Sequence, residues 1–241
     1  MRILLIGHGR MGQLIEQTAL AAGDSVAGII DINNLSELET LGRVADVVMD
    51  FSHPAALPAL AAYVRRTGTP LLSGTTGLTA ADQEVLTGLG SCAAVLHSAN
   101  FSVGVAVFCR ILQQVSDVLK RDFDIEITET HHNQKVDAPS GTAKLLLDAI
   151  DPSHEMNVVY GRSGNCGKRP EKEIGVHSLR GGTVAGEHTV SFFGVDEILE
   201  ITHRATSRQI FVNGALHMAR RLVHMPQGRY DLLDILFPAE S

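Results

Sequence analysis

The sequence has no long run of charge of either sign, no apolar stretch near membrane-spanning length, no internal repeat, and no Cys-x-x-Cys or His-Glu-x-x-His pattern. Each absence removes a class of function. With a net charge of −7 and no basic run, neither a nucleic-acid groove nor a membrane-binding face is indicated, although local basic pockets stay open. Met1-Arg2 is followed by only four apolar residues before Gly7, too few for a signal peptide, so a cytoplasmic protein is expected. The three cysteines, Cys92, Cys109 and Cys166, are odd in number and far apart, which argues against a disulfide framework and for a reducing compartment. Without spaced cysteine or histidine ligands, no resident metal is expected. What remains is a globular composition, 44% hydrophobic and 20% charged over 241 residues, enough for one large or two modest domains.

The first hundred residues alternate between strand-like and helix-like segments. Ile3-Leu4-Leu5-Ile6 is a continuous apolar run of the kind buried on both faces of a parallel sheet, and it ends in Gly7-His8-Gly9-Arg10-Met11-Gly12. A helix is expected over 13–22, with Leu14, Ile15, Thr18 and Ala19 on one face and Gly23 as its stop. A second run, Val26 to Ile30, ends in Asp31, nineteen residues beyond Gly12. Strand, Gly-x-Gly-x-x-Gly turn, helix and a following acid form the dinucleotide-binding unit. Its glycines let the backbone approach a pyrophosphate, and its acid accepts hydrogen bonds from the adenosine ribose. Asp31 is followed by Ile32-Asn33-Asn34, with no adjacent base for a 2′-phosphate, which favours NADH over NADPH unless a basic side chain folds in from elsewhere.

The alternation continues with strands at 47–52, 70–73 and 93–97 and helices at 54–66 and from Thr79. Two polar turns, Gly74-Thr75-Thr76-Gly77 and Ser98-Ala99-Asn100-Phe101, follow strand ends, where ligands of open parallel sheets sit; they line the nicotinamide side or are ordinary loops. A long helix over 103–120 leads into a segment of different character.

Phe123 to Thr130 alternates apolar and polar residues as a half-buried strand does, and it feeds directly into His131-His132-Asn133-Gln134-Lys135-Val136-Asp137-Ala138-Pro139-Ser140-Gly141-Thr142-Ala143. Ser140 is a good N-cap for a helix running to Ile150. The backbone N–H groups at Gly141 and Thr142 would then form a carboxylate site, with Lys135 adding charge and two imidazoles able to exchange protons near neutral pH. The expected ligand is a small anion that must be protonated. The alternative is a solvated histidine pair ahead of an ordinary cap. Beyond lie a Gly-rich basic stretch at 160–170, either a surface loop or a lid, and strand-like runs at 174–179, 188–193 and 198–203. With no helices between them, these runs should form an antiparallel or mixed sheet. A last helix over 209–224, apolar over much of its surface, should return to the first domain as core. The expected class is α/β, with a Rossmann-type parallel-sheet domain (1–102 and 211–241) and an α+β domain with a mixed or antiparallel sheet (103–210).

The motif His131-His132-x-x-Lys135-x-Asp137-Ala138-Pro139-Ser140-Gly141-Thr142 resembles that of the 4-hydroxy-tetrahydrodipicolinate (dihydrodipicolinate) reductase family. The resemblance runs nearly end to end, through the glycine motif, Gly74-Thr75-Thr76-Gly77, Ala99-Asn100-Phe101-Ser102, Arg180-Gly181-Gly182 with Gly186-Glu187-His188, and Ile201-Thr202-His203-Arg204-Ala205. It implies a homotetramer of lysine biosynthesis that reduces a cyclic unsaturated dicarboxylate with NADH or NADPH. By the same resemblance, His131 is a proton donor or acceptor and Lys135 a proton donor. His132 and the Gly141-Thr142 backbone contact substrate, with Ser140 beside them in the anion site. Gly7, His8, Gly9, Arg10, Met11, Gly12, Asp31, Gly74, Thr75, Thr76, Ser98, Ala99, Asn100 and Phe101 contact cofactor. Two departures bear on cofactor preference: the glycine loop is one residue shorter than in many members, and Asp31 stands where many have Glu, often followed by Arg. Two rival readings are an NAD-sensing regulator, for which no DNA-binding helix pair or partner surface is found, and a cysteine-nucleophile dehydrogenase, for which neither Cys92 nor Cys109 has a nearby histidine.

Overall fold

Short apolar runs, each followed by a turn and an amphipathic helix, can bury both strand faces only by pairing in parallel with the helices laid over them. The computed structural model, which describes residues 1–238, realises this in its first half. Strand β1 (Arg2–Ile6), helix α1 (Arg10–Ala21), β2 (Ser25–Ile30), β3 (Val47–Asp50), α2 (Leu57–Thr67), β4 (Leu71–Ser73), α3 (Ala80–Leu89) and β5 (Ala94–His97) follow in turn. Strand β1 pairs in parallel with β2 on one side and β3 on the other, and β4 and β5 extend the sheet beyond β3. Ile3 to Ile6, Val47 to Met49, Leu71 and Leu72 have no exposed surface. Helix α1 starts three residues before the expected 13, inside the glycine motif, because Gly9 serves as its N-cap. Gly12 lies buried in its first turn, where a Cβ would stand 2.1 Å from the Gly7 carbonyl oxygen. Gly7 itself holds φ +87°, a conformation that disfavours any side chain.

The chain divides into two units, Val103–Arg208 and the remainder. In the former, α4 (Val103–Leu119) precedes β6 (Asp124–His131), α5 (Gly141–Ile150), β7 (Asn157–Tyr160), β8 (Glu173–Arg180), β9 (Gly186–Phe193) and β10 (Ile198–Ala205). The expected mixed sheet forms in the order β10-β9-β6-β8-β7, with β6 parallel to β8 and antiparallel to β9. Its core joins Phe108 and Leu112 of α4 and Leu146 and Ile150 of α5 to Ile125, Ile127, Ile174, Val176, Val190 and Phe192. Strand β7 was not foreseen; four half-exposed residues at a sheet edge carry too short a pattern to separate from the Gly-rich stretch after it. That basic stretch lies out in solvent, yet its arginines reach back. Arg162 donates two hydrogen bonds to Glu126 at 3.0 and 2.8 Å and also pairs with Glu173, while Arg169 donates to Asp124 at 2.7 Å.

The first unit resumes with α6 (Gln209–Leu222), followed by β11 (Gly228–Tyr230), which adds a sixth parallel strand beside β5, and α7 (Leu232–Leu236). Both short elements escaped the pattern reading. The last three positions of the expected 211–241 segment lie outside the described residues. No helix among the described residues is long and apolar enough to cross a membrane. Helix α6 comes so close to the end of β5's following loop that a Cβ on Gly214 would stand 1.8 Å from the Phe101 carbonyl oxygen, whereas one on Gly88 of α3 would meet nothing within 4 Å. The same substitution should therefore act in opposite senses in thermal or urea unfolding. Gly88→Ala should stabilise by about 0.4–1 kcal/mol through helix propensity and the unfolded state, and Gly214→Ala should destabilise by about 1–3 kcal/mol through overpacking. A Gly214→Ala variant as stable as its parent would show that contact to be unimportant.

Candidate active site

Strand β6 buries every second residue, Ile125, Ile127, Glu129 and His131, so its inward face changes from apolar to ionisable toward its C-terminal end. His131 is the last residue of the strand. Its backbone oxygen accepts from Gly181 N at 2.9 Å, and Asn133 N donates to Gly182 O at 3.2 Å, so the turn after β8 holds the start of the loop. Lys135 follows one tight turn later, its N donating to His132 O, and its ammonium donates to both oxygens of Asp137, at 2.7 and 3.0 Å. The expected N-cap is present, with Ser140 Oγ accepting from Ala143 N at 3.1 Å. Gly141 lies exposed, with nothing within 4 Å of where a side chain would begin. The structure thus gathers His131, His132, Lys135, Ser140, Gly141 and Thr142 between one strand end and one helix start.

Four residues around this segment were not foreseen. Glu129, with no exposed side-chain surface, sets its Oε2 2.6 Å from His131 Nδ1. Its Oε1 accepts from Ser178 Oγ at 2.7 Å, Arg180 Nη2 at 2.9 Å and Ser140 N at 3.1 Å. Burial alone would raise this carboxyl, but those hydrogen bonds and the neighbouring imidazole outweigh it and hold it at about 2. The alternation of β6 already put Glu129 in phase with Ile125 and Ile127, and an acid on the buried phase of a strand is the signal by which it could have been found. His188, opposite Glu129 on β9, lies 3.0 Å from Ser140 Oγ through its Nε2 and edge-on to His131. Burial, then the nearby His131, pushes His188 down to about 4. Arg208 Nη2 donates to His132 Nε2 at 3.1 Å, adding a second cation to the loop. His131 is lowered by burial, partly offset by Glu129, with Lys135 and Arg180 acting in the same sense as burial.

Glu129, His131 and His188 bring donor atoms within 4.8 Å of one another. Glu129 Oε1 is committed to Arg180, Ser178 and Ser140 N, and His188 Nε2 to Ser140 Oγ, which leaves Glu129 Oε2 and His131 Nδ1 facing each other.

In the first unit the remaining expected residues fall at the C-terminal ends of β1, β2, β4 and β5, which share one direction. Gly9 caps α1 without a side-chain hydrogen bond, unlike the starts of α3 and α5, and nothing stands within 4 Å of its missing Cβ. An uncapped helix start bared in this way fits the pyrophosphate of a dinucleotide. His8 is drawn to Glu16, 2.7 Å away, while Arg10 is exposed and Met11 half-buried on the first turn. Asp31 Oδ1 accepts from Asn33 N at 2.7 Å and Asn34 Oδ1 accepts from Asp31 N, so the acid also closes its own turn. A buried carboxylate, Asp50 at the end of β3, organises the neighbouring turns: Ser73 Oγ and Thr75 Oγ1 donate to it at 2.8 and 2.9 Å. Thr75 and Phe101 point into the unit, Phe101 against Phe51 at 5.8 Å, and Gly74 gives room to the Phe51 ring. Thr76 and Ala99 are exposed, and Ser98 Oγ donates to Asn100 O at 2.7 Å. Burial pushes the Cys109 thiol up to about 11, away from the thiolate that a nucleophile needs.

Residues 1–101 match the N-terminal part of the dihydrodipicolinate reductase family and residues 104–236 its C-terminal part. The chain is 40% identical to the 4-hydroxy-tetrahydrodipicolinate reductase of an Exiguobacterium species over 98% of its own length and 95% of that relative. It is 42% identical to that of Staphylococcus saprophyticus over 95% and 98% of the two chains. In fold it is similar to a dipicolinate-bound dihydrodipicolinate reductase from Paenisporosarcina, with a TM-score of 0.78 at 20% identity over 97% of this chain and 98% of that one. It is similar at greater distance to a diaminopimelate dehydrogenase from C. glutamicum, with a TM-score of 0.54 at 13% identity over 100% and 96%.

His188 makes this cluster sensitive to acid. A histidine at 6.5 when unfolded and about 4 when folded binds its proton first in the unfolded chain, so the stability it carries is full above 6.5 and is lost progressively as the pH falls to 4. Urea midpoints measured across that interval should fall less steeply for His188→Gln than for the parent chain. Equal slopes would mean that His188 is not buried neutral.

Proposed function

The chain belongs to the dihydrodipicolinate reductase family, and from that premise we propose that it reduces 4-hydroxy-tetrahydrodipicolinate to tetrahydrodipicolinate in the diaminopimelate route to lysine. The observation that carries this reading is the single loop in which a buried imidazole, an ammonium and a helix start with Gly141 exposed lie together between β6 and α5. A ring dicarboxylate undergoing reduction needs those three things: a donor for the proton, positive charge, and N–H groups for its carboxylates. Gly141 and Thr142 at the start of α5, with Ser140 and His132, hold one carboxylate, and Arg208 beside His132 adds charge to it. His131 or Lys135 delivers the proton to the reduced ring.

A dihydronicotinamide bound at the first unit supplies the hydride. Gly7 to Gly12 cradle its pyrophosphate, Asp31 takes the ribose hydroxyls, and the backbone of Gly74 to Thr76 and Ser98 to Phe101 lines the nicotinamide side. The family match supports NAD(P)H. The preference for NADH rests on Asp31 and the uncharged Ile32-Asn33-Asn34 after it, since a carboxylate repels a 2′-phosphate. We also assign residues 103–210 to substrate binding and homotetramer assembly. Strand β10 is a sheet edge, and its first residue Ile198 and Val195 in the turn before it are 61% and 88% exposed, an apolar edge of the kind proteins cover.

Oxidation of NADH followed at 340 nm, with substrate generated in place from aspartate semialdehyde and pyruvate, tests the reaction. His131→Ala and Lys135→Ala should each lower kcat by about a hundred- to ten-thousandfold while leaving cofactor affinity nearly unchanged; full kcat in both variants would reject the roles given to them. Separately, titration of the two cofactors should return the lower Kd for NADH, and tighter NADPH binding would reverse the preference.

A further inference from the structure

We infer that Glu129 is the positioning residue of the proton-transfer site, its carboxylate orienting His131 through Nδ1 and tying that imidazole to the carboxylate-binding start of α5. The inference rests on the role given above to His131. Its basis is the division of labour between the two carboxylate oxygens. Oε2 stands 2.6 Å from His131 Nδ1, and so close to an ionised oxygen a protonated Nδ1 is favoured over a lone pair. The neutral ring is then confined to the tautomer whose Nε2 has a free lone pair, and Nε2 is the atom that takes up a proton and passes it to substrate. Room is kept at that atom, since a Cβ on Gly186 would come within 3.1 Å of His131 Nε2.

Oε1 performs a different task. It accepts from Arg180 Nη2, Ser178 Oγ and Ser140 N, three donors from two segments, β8 and the start of α5, so the carboxylate cannot rotate without breaking all of them. Ser140 is the N-cap of α5, so the distance between the proton donor and the anion site is fixed by one side chain. Arg180 Nη2 also donates to Asp137 O, which extends the same fixture to the loop that carries Lys135.

The charges facing His131 come from every neighbouring strand: Glu129 on β6, Lys135 in the following loop, Arg180 on β8 and His188 on β9. Of these only Glu129 is an anion. It opposes burial and the two cations, which together still lower His131, and without it the imidazolium would be disfavoured further.

The test begins with the free wild-type protein, using nitrogen chemical shifts of labelled histidine with His131→Gln to assign the signal. The Nδ1–H tautomer is expected for neutral His131, and a dominant Nε2–H tautomer would overturn the proposal. This measurement needs no substrate, so its outcome stands apart from that of the proposed reaction. In Glu129→Gln, the pH at which His131 titrates should drop by about one unit, and kcat by about a hundredfold, as expected when an acid–base imidazole loses its carboxylate partner. The alkaline limb of the kcat profile should move to lower pH with it, while the Kd for NADH stays within about twofold of wild type. Glu129→Asp keeps the charge and should retain most of the titration midpoint while recovering only part of kcat. A purely structural Glu129 would instead lower the folded fraction of Glu129→Gln and leave its titration midpoint and pH profile where they were, and that result would reject the inference. Should Glu129→Gln not fold, the tautomer in the wild type and the Glu129→Asp profile decide the matter.

Discussion

A carboxylate with no exposed surface is costly to ionise unless its neighbours replace the water it has lost, and Glu129 lies in the middle strand of a five-stranded sheet. Much of the second unit's polar architecture follows from meeting that need. Arg180 and Ser178 arrive on β8, Ser140 from the start of α5 and His131 from two residues further along the same strand. Each donor comes from a segment that the function requires in a particular place. The hydrogen bonds that permit the buried charge therefore also set the spacing among His131, the start of α5 and the loop between them. Withdrawing one partner leaves the others facing an under-satisfied charge, which is why such a cluster holds its geometry more firmly than its individual bonds suggest.

The first unit meets a related demand with gentler means. Asp50 ends β3 and gathers Ser52, Ser73 and Thr75, all neutral donors, so that the turns after β3 and β4 are drawn together at the end of the sheet where the glycine turn also lies. The same carboxylate leaves the Thr75 hydroxyl facing inward, so the second turn presents mainly backbone and the exposed Thr76 outward. Hydroxyl donors suffice here to position the loops. In the second unit a full positive charge stands on the carboxylate, and an imidazole that changes charge stands beside it.

Most of the architecture could be read in advance because the parallel strands of the first unit are uninterrupted apolar runs, and because β6 alternates without error over its whole length. The helix starts at Thr79 and Ser140 were legible from capping chemistry alone, and both caps form as expected. What escaped were elements of three to five residues, β7, β11 and α7, which span fewer than two and a half periods of their patterns and so do not establish one. The loop residues of the site were visible as a cluster in the chain, since they lie within twelve positions from His131 to Thr142. Arg180, His188 and Arg208 were not placed there, because they reach the site across strand pairings and a chain reversal that no local spacing encodes. Glu129 left a trace in the strand pattern, as a charged residue in phase with isoleucines.

That phase has a consequence for how the chain can vary. On one face of β6, Ile125, Ile127, Glu129 and His131 serve the core and the chemistry; on the other, Glu126 receives Arg162, Arg169 and His177 from the polar side of the sheet. Side chains alternate with a period of two, so gaining or losing a single residue between Asp124 and His131 would exchange the two faces together. The isoleucines would meet solvent, Glu126 would enter the core away from its arginines, and the imidazole would leave its carboxylate. Insertions and deletions can be absorbed in the exposed 161–170 stretch or at the turns between strands, but not here. Strand β6 is the ruler against which the lengths of the surrounding loops are free to change.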